Sequence, residues 1–229
     1  MIILNTVATM PHTWVYETRE DAGRELADQV LAHYGQGDWL VLAIPRGGVP
    51  VGAPIAIRLG APLDVVIPRK LPVPWDPEAG FGAVTADGTL VLNDELVSLL
   101  DLSPEEIRRT AAEVVAEVQR RTAIYRGDRP PPDVRGKWVL LTDDGLASGY
   151  TMIAAARSVK KDQPERVIVA VPVAPRDTLR RVAAEVDDAI CLLAQERSPF
   201  AVASYYHYFP DMSDAEVISY LRQVASLHV

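Results

Sequence analysis

Lys137-Trp138-Val139-Leu140-Leu141-Thr142-Asp143-Asp144-Gly145-Leu146-Ala147-Ser148-Gly149-Tyr150-Thr151 changes character three times: an apolar run, an acidic pair, a loop of small residues. The run from Trp138 to Leu141 is too short for a buried helix and reads as a strand covered on both faces. Asp143 and Asp144 then fall at its carboxyl end, where open α/β sheets place their ligands. Gly145, Ala147, Ser148 and Gly149 let the backbone approach a ligand closely, and residues 150–161 have the apolar spacing of a helix. N–H groups at a helix start suit phosphate. The two halves are thus a carboxylate pair for hydroxyls or a metal and a phosphate cradle, which a phosphorylated sugar would satisfy together. The plain alternative is a strand-turn-helix with two solvated aspartates.

Outward from this stretch, apolar runs alternate with helical periods. Thr18 to Asp21 has the form of a capping box, opening a helix to about Tyr34, after an apolar, irregular start. Residues 38–44 read as a strand running into the turn Pro45-Arg46-Gly47-Gly48, and residues 49–59 as a helix, with Pro54 arguing for a kink or a later start. Residues 63–68 read as a strand, Arg69-Lys70 end it, and a Pro/Gly-rich loop follows through Gly80, too long for an ordinary connection. Residues 81–93 read as a hairpin around Asp87-Gly88, and Ser103-Pro104-Glu105-Glu106 caps a long helix. Residues 166–173 and 188–193 are further strands, with a helix over 175–185 between them and a capped helix from Ser213. The expectation is an α/β fold: an open, mostly parallel sheet of about five strands with helices on both faces.

With 229 residues, 48% of them hydrophobic, the chain can bury one substantial core, so a single domain is expected over 1–229. A net charge of -8 argues against a nucleic-acid partner held by phosphate contacts. No run approaches the roughly 20 apolar residues of a membrane span, and residues 1–10 lack a basic n-region and cleavage pattern; no membrane partner and a cytoplasmic location are expected. Cys191 lies in an apolar run and reads as a buried, reduced thiol.

Residues 140–151 resemble the phosphoribosyl-pyrophosphate (PRPP) motif of type I phosphoribosyltransferases: an aliphatic strand, two acidic residues, and a small-residue loop ending in Gly-x-Thr or Gly-x-Ser. Thr142 departs from it, since the family has an aliphatic residue there; the hydroxyl is harmless if it finds a backbone acceptor. The resemblance covers a core of about residues 38–193, with a candidate hood from 194–229 and the N-terminal segment. It implies a Mg²⁺-dependent pentosyltransferase that moves ribose 5-phosphate from PRPP to a nitrogenous acceptor, with a homodimer as a further expectation. Asp143 and Asp144 would hold ribose hydroxyls and, through water, Mg²⁺. Gly145, Leu146, Ala147, Ser148, Gly149, Tyr150 and Thr151 would hold the 5′-phosphate.

By the same resemblance Arg46, Gly47 and Gly48 match the family's pyrophosphate turn, which often carries a non-proline cis peptide. Arg69 and Lys70 match the basic pair opening its mobile catalytic loop, here residues 71–82, with Lys70 catalytic. Taken alone, either basic group reads as solvated. Ala147 stands where 6-oxopurine enzymes of the family carry an aspartate, which disfavours those bases. The Tyr and Phe cluster at 200–209 suits either stacking on a base or core packing. Two alternatives stay open: a non-catalytic PRPP or nucleotide sensor on the same fold, and a phosphatase using Asp143 as nucleophile, against which the small-residue loop speaks.

Overall fold

A computed structural model describes residues 1–4, 14–73, 75–196 and 199–227, the side chains of 77 and 78 excepted. Its elements run β1 (Ile2–Ile3), α1 (Arg19–Tyr34), β2 (Trp39–Ala43), α2 (Gly48–Leu59), β3 (Leu63–Val65), β4 (Arg69–Val73), β5 (Asp76–Val84), β6 (Leu90–Leu92) and α3 (Asp94–Leu99). They continue with α4 (Pro104–Arg126), β7 (Trp138–Thr142), α5 (Tyr150–Lys160), β8 (Arg166–Pro175), α6 (Arg176–Ala183), β9 (Asp188–Gln195), a 3₁₀ turn (Val202–Tyr205) and α7 (Asp214–Ala225). Six strands form one parallel sheet in the order β1-β9-β8-β7-β2-β3. Successive residues of its central strands alternate between two buried clusters. Val41, Leu140, Ile168 and Ala170 pack against α1, α2, α4 and α7, while Leu42, Leu141, Val167 and Val169 pack against α5 and α6. That double burial is why the strands read as unbroken apolar runs.

The helix starts follow their caps. Thr18/Asp21, Ser103/Glu106 and Ser213/Glu216 all form reciprocal capping boxes, each satisfying two orphan donors of the first turn. Helix α2 runs from Gly48 through Pro54 to Leu59, so it does not start later than Pro54. The irregular start is corrected at Ile2–Ile3, which pair with Ile190 and Cys191 and add a sixth strand; residues 5–10 lie outside the described set. Cys191 is fully buried, its Sγ donating to the Leu193 carbonyl at 3.3 Å, and burial pushes the thiol up to about 12. No described helix is long and apolar enough to cross a membrane.

The main correction concerns the Pro/Gly-rich stretch after Arg69. Instead of a long loop it forms two antiparallel strands, β4 and β5, which with β6 make a separate three-stranded ribbon. Leu71 and Val73 are buried at period two, a pattern hidden by the prolines, which the ribbon accommodates through register shifts around Pro72, and Phe81 is buried on the partner strand. Gly82 is there for proximity, since a Cβ would fall 2.3 Å from the Val91 carbonyl oxygen. The expected hairpin turn docks onto α5. Asp87 accepts from Lys161 Nζ (2.8 Å), Ser158 Oγ (3.0 Å) and Thr89 Oγ1 (2.7 Å), and also from Thr85. Burial works against the Asp87 charge, yet these bonds hold its carboxyl well below the usual range.

Thr142 has no accessible surface, faces α2 at Gly52, and its Oγ1 has no hydrogen-bond partner among the described residues. The backbone acceptor that would have made it harmless is missing. Valine keeps the shape and removes the unsatisfied group, so Thr142→Val should stabilise the fold by about 1 kcal/mol. Urea denaturation would check this through a raised midpoint at unchanged slope.

Candidate active site

Strand order fixes where a site can form. From β2 the chain crosses through α2 to β3 on one side, and from β7 it crosses through α5 to β8 on the other. Because β2 and β7 are neighbours, the two connections diverge and leave a crevice at their carboxyl ends, the usual ligand position in such sheets. The turn Pro45 to Gly48 lines one side of it and Asp143 to Gly149 the other.

The two sides touch. The Ile44 N–H donates to the Thr142 carbonyl at 2.9 Å, extending the ladder to the turn, and the Pro45–Arg46 peptide is cis. A Cβ at Gly47 would lie 2.0 Å from Asp144 Oδ2, and one at Gly48 2.9 Å from the Asp143 Cα. Glycine is therefore required by contact with the acidic pair. Asp143 Oδ1 accepts the Asp144 N–H at 2.8 Å, which orients the first carboxylate.

Asp144 has a partner that no local pattern announces. Arg19, in the first turn of α1, donates Nε to Asp144 Oδ2 at 2.9 Å, with side-chain exposures of 9% and 15%. Its guanidinium lies 3.6 Å from the Phe209 ring centroid and donates to the Pro210 carbonyl at 2.9 Å. The hydroxyl of buried Tyr206 donates to the Asp144 carbonyl at 2.6 Å. The tail aromatics Tyr206 and Phe209 thus serve the acidic pair as scaffold, whereas Tyr208 is exposed and His207 stacks on Trp14 beside Glu17. Burial raises the Asp143 carboxyl well above the usual range, and the Asp144 charge raises it further. Asp144 is raised by burial as well, with Arg19 opposing.

The small-residue loop divides by role. Gly145 and Leu146 are buried, and the Leu146 N–H donates to Val173 O at 2.9 Å, so the Leu146 amide anchors the loop. The Ala147 carbonyl accepts from Thr178 Oγ1 at 2.9 Å, while the Ala147 and Ser148 side chains face solvent. Gly149 caps α5 with φ 82°, a left-handed conformation, and no side chain caps the helix start at Tyr150 and Thr151. That start carries no acidic residue, so its amides and dipole favour an anion.

Arg69 and Lys70 open a strand where a loop was expected. They begin strand β4: Arg69 Nη1 lies 3.1 Å from Glu117 Oε1 of α4, and Lys70 stands opposite Ala83. The Arg46 side chain points to Asp214 at the start of α7, 3.8 Å away. The structure therefore joins Arg46, Gly47 and Gly48 to Asp143 and Asp144 through the backbone, and carries Arg69 and Lys70 on the ribbon.

A family model described as a phosphoribosyl transferase domain matches residues 86–209, which hold the acidic pair and the loop after it. A Mycobacterium tuberculosis protein provisionally named a phosphoribosyl transferase is 39% identical over 207 residues, covering 90% of this chain and 46% of the relative, with the same figures in two strains. The chain thus spans about half the length of these curated relatives. The crystal structure of TT1426 from Thermus thermophilus superposes with a TM-score of 0.76 at 36% identity, covering 91% of this chain and 98% of that one. With a match over more than half its length, one that takes in β7 and the acidic pair, the chain belongs to the phosphoribosyl transferase domain family.

Proposed function

We propose that the chain transfers ribose 5-phosphate from PRPP to a nitrogen nucleophile and releases pyrophosphate. The observation that carries this reading is the contact of the Arg46-Gly47-Gly48 turn with Asp143 and Asp144 at the switch point, beside an uncapped helix start. A phosphate, a pair of ribose hydroxyls and a leaving pyrophosphate have matching groups in that order around the crevice. The Gly149, Tyr150 and Thr151 amides hold the 5′-phosphate, Asp143 and Asp144 accept the ribose hydroxyls, and Arg46 with the Gly47 amide faces the pyrophosphate; Gly48, whose N–H donates to the Ile44 carbonyl at 3.0 Å, serves by leaving room beside the acidic pair. The acceptor nitrogen bonds to the anomeric carbon as the bond to pyrophosphate breaks; the electron pair leaves with pyrophosphate and the acceptor proton goes to water. Positive charge develops on the ribose at that moment, and two fixed carboxylates stabilise it without reorganising.

Two adjacent carboxylates suit Mg²⁺, which binds through few protein ligands plus substrate oxygens. When bound, the ion supplies charge neutralisation on the pyrophosphate. Arg69 and Lys70, on the ribbon, serve pyrophosphate as it leaves. Activity is tested by pyrophosphate release from PRPP with Mg²⁺ over a panel of bases and amines, run beside PRPP affinity. Release with one acceptor and not others identifies the enzyme and its substrate. Tight PRPP binding with no release from any acceptor would replace this reading with that of a sensor.

A further inference from the structure

Helix α4 carries a stripe that the site above does not use. Glu117, Arg120, Arg121 and Tyr125 stand at i, i+3, i+4 and i+8, so they share one face. Three arginines converge on the single carboxylate of Glu117. Arg120 donates Nε to Oε2 at 2.7 Å and Nη2 to Oε1 at 2.9 Å, Arg121 Nε reaches Oε1 at 2.9 Å, and Arg69 Nη1 comes from β4 to Oε1 at 3.1 Å. At the other end of the stripe the Tyr125 hydroxyl donates to Asp214 Oδ1 at 2.5 Å, the same oxygen that Arg46 approaches. Arg121 and Arg46 both act on the Tyr125 phenol, and Asp214 acts on Arg120, so the two ends form one electrostatic neighbourhood.

Four guanidinium groups in this set face two carboxylates, leaving an excess of positive charge on a chain whose net charge is -8. Partly exposed ion pairs of this kind contribute little to folding and exchange readily. Guanidinium forks match phosphate oxygens in pairs, which makes phosphate a better partner than a shared carboxylate. From the level of Glu117 to that of Tyr125 the helix rises about 12 Å, too far for one phosphate to meet all four groups.

We propose that Arg69, Arg120, Arg121 and Arg46 form a polyphosphate-binding face, with Glu117 as the internal counter-ion that a ligand of two or more phosphates displaces. Resting on the PRPP reading above, the face extends the pyrophosphate side of the crevice from the Arg46 turn out along α4. Arg120 and Arg121 are then binding residues that no motif in the chain marks.

The test is calorimetric titration of the whole chain with inorganic pyrophosphate, with inorganic phosphate as comparison. Pyrophosphate should bind more tightly than phosphate, and Arg120→Ala with Arg121→Ala should weaken it about tenfold or more. Glu117→Gln should do the opposite and tighten binding, a sign that a merely structural role for this cluster would not produce. Unchanged pyrophosphate affinity in the double variant, or weaker binding in Glu117→Gln, would overturn the proposal. Ribose 5-phosphate titrated against Asp143→Asn separates this from the PRPP reading. Indifference there would remove the ribose assignment while leaving the arginine result standing.

Discussion

Asp143→Asn should abolish the thermal shift that PRPP with Mg²⁺ produces and, without ligand, should raise the melting temperature at neutral pH. The first effect follows from the proposed role of the carboxylate on the ribose hydroxyls and the metal. The second follows from burial. A carboxyl whose pKa is raised on folding holds its proton more tightly in the folded state than in the unfolded chain. Its contribution is fully present below the unfolded value of about 3.9 and is lost as pH rises through the folded one. At pH values above the unfolded pKa, folding therefore has to desolvate this charge or take up a proton, a cost that asparagine removes, while the amide oxygen still accepts the Asp144 N–H. Melting curves from pH 5 to 8, with and without PRPP, should show a flatter pH slope for the variant and no ligand response. A retained ligand shift would sink the site assignment, and an unchanged apo slope would sink the electrostatic account.

Much of this was legible because local signals and tertiary packing agree. Trp138 to Thr142 is apolar on both faces because both faces are covered, and the acidic pair follows at the strand's carboxyl end, where a motif and a general rule about α/β sheets coincide. The three capping boxes were readable because both of their partners lie within four residues. The failures share one cause, which is that the deciding partner is far away in sequence. Ile2 and Ile3 become a strand only because β9 offers an unpaired edge 188 positions on. The short helix α3, capped by Asn93, carries no buried residue and hence no apolar stripe to announce it. Leu71 and Val73 alternate as a ribbon should, but Pro72 and Gly80 signal a loop until the pairing of β4 with β5 sets them opposite each other. In the same way Arg19 and Arg121 look like any helix arginine beside an acid; Asp144 and Arg69, which give them their meaning, come from other elements.

Arg19→Met is the second variant with a large expected effect, and it tests whether the acidic pair is held by a partner or merely tolerated. Methionine preserves the packing against Phe209 but leaves Asp144 as a buried carboxylate without its cation. Removing one member of such a pair destabilises by about 3 kcal/mol, because the remaining charge keeps its desolvation penalty. The loss should shrink as pH falls, since burial raises the Asp144 carboxyl and, without Arg19 opposing it, protonation relieves the unpaired charge. Adding Asp144→Asn to Arg19→Met should therefore recover most of the lost stability at neutral pH, whereas Asp144→Asn alone should destabilise by stranding the guanidinium. A double-mutant cycle in urea at two pH values measures all of this. A penalty for Arg19→Met no greater than the ~1 kcal/mol of a solvated ion pair, equal at both pH values, would mean that Asp144 does not depend on Arg19. The predicted outcome instead makes Arg19 the residue that favours the charged form of the buried Asp144 carboxyl beside the crevice, opposing the burial that raises it.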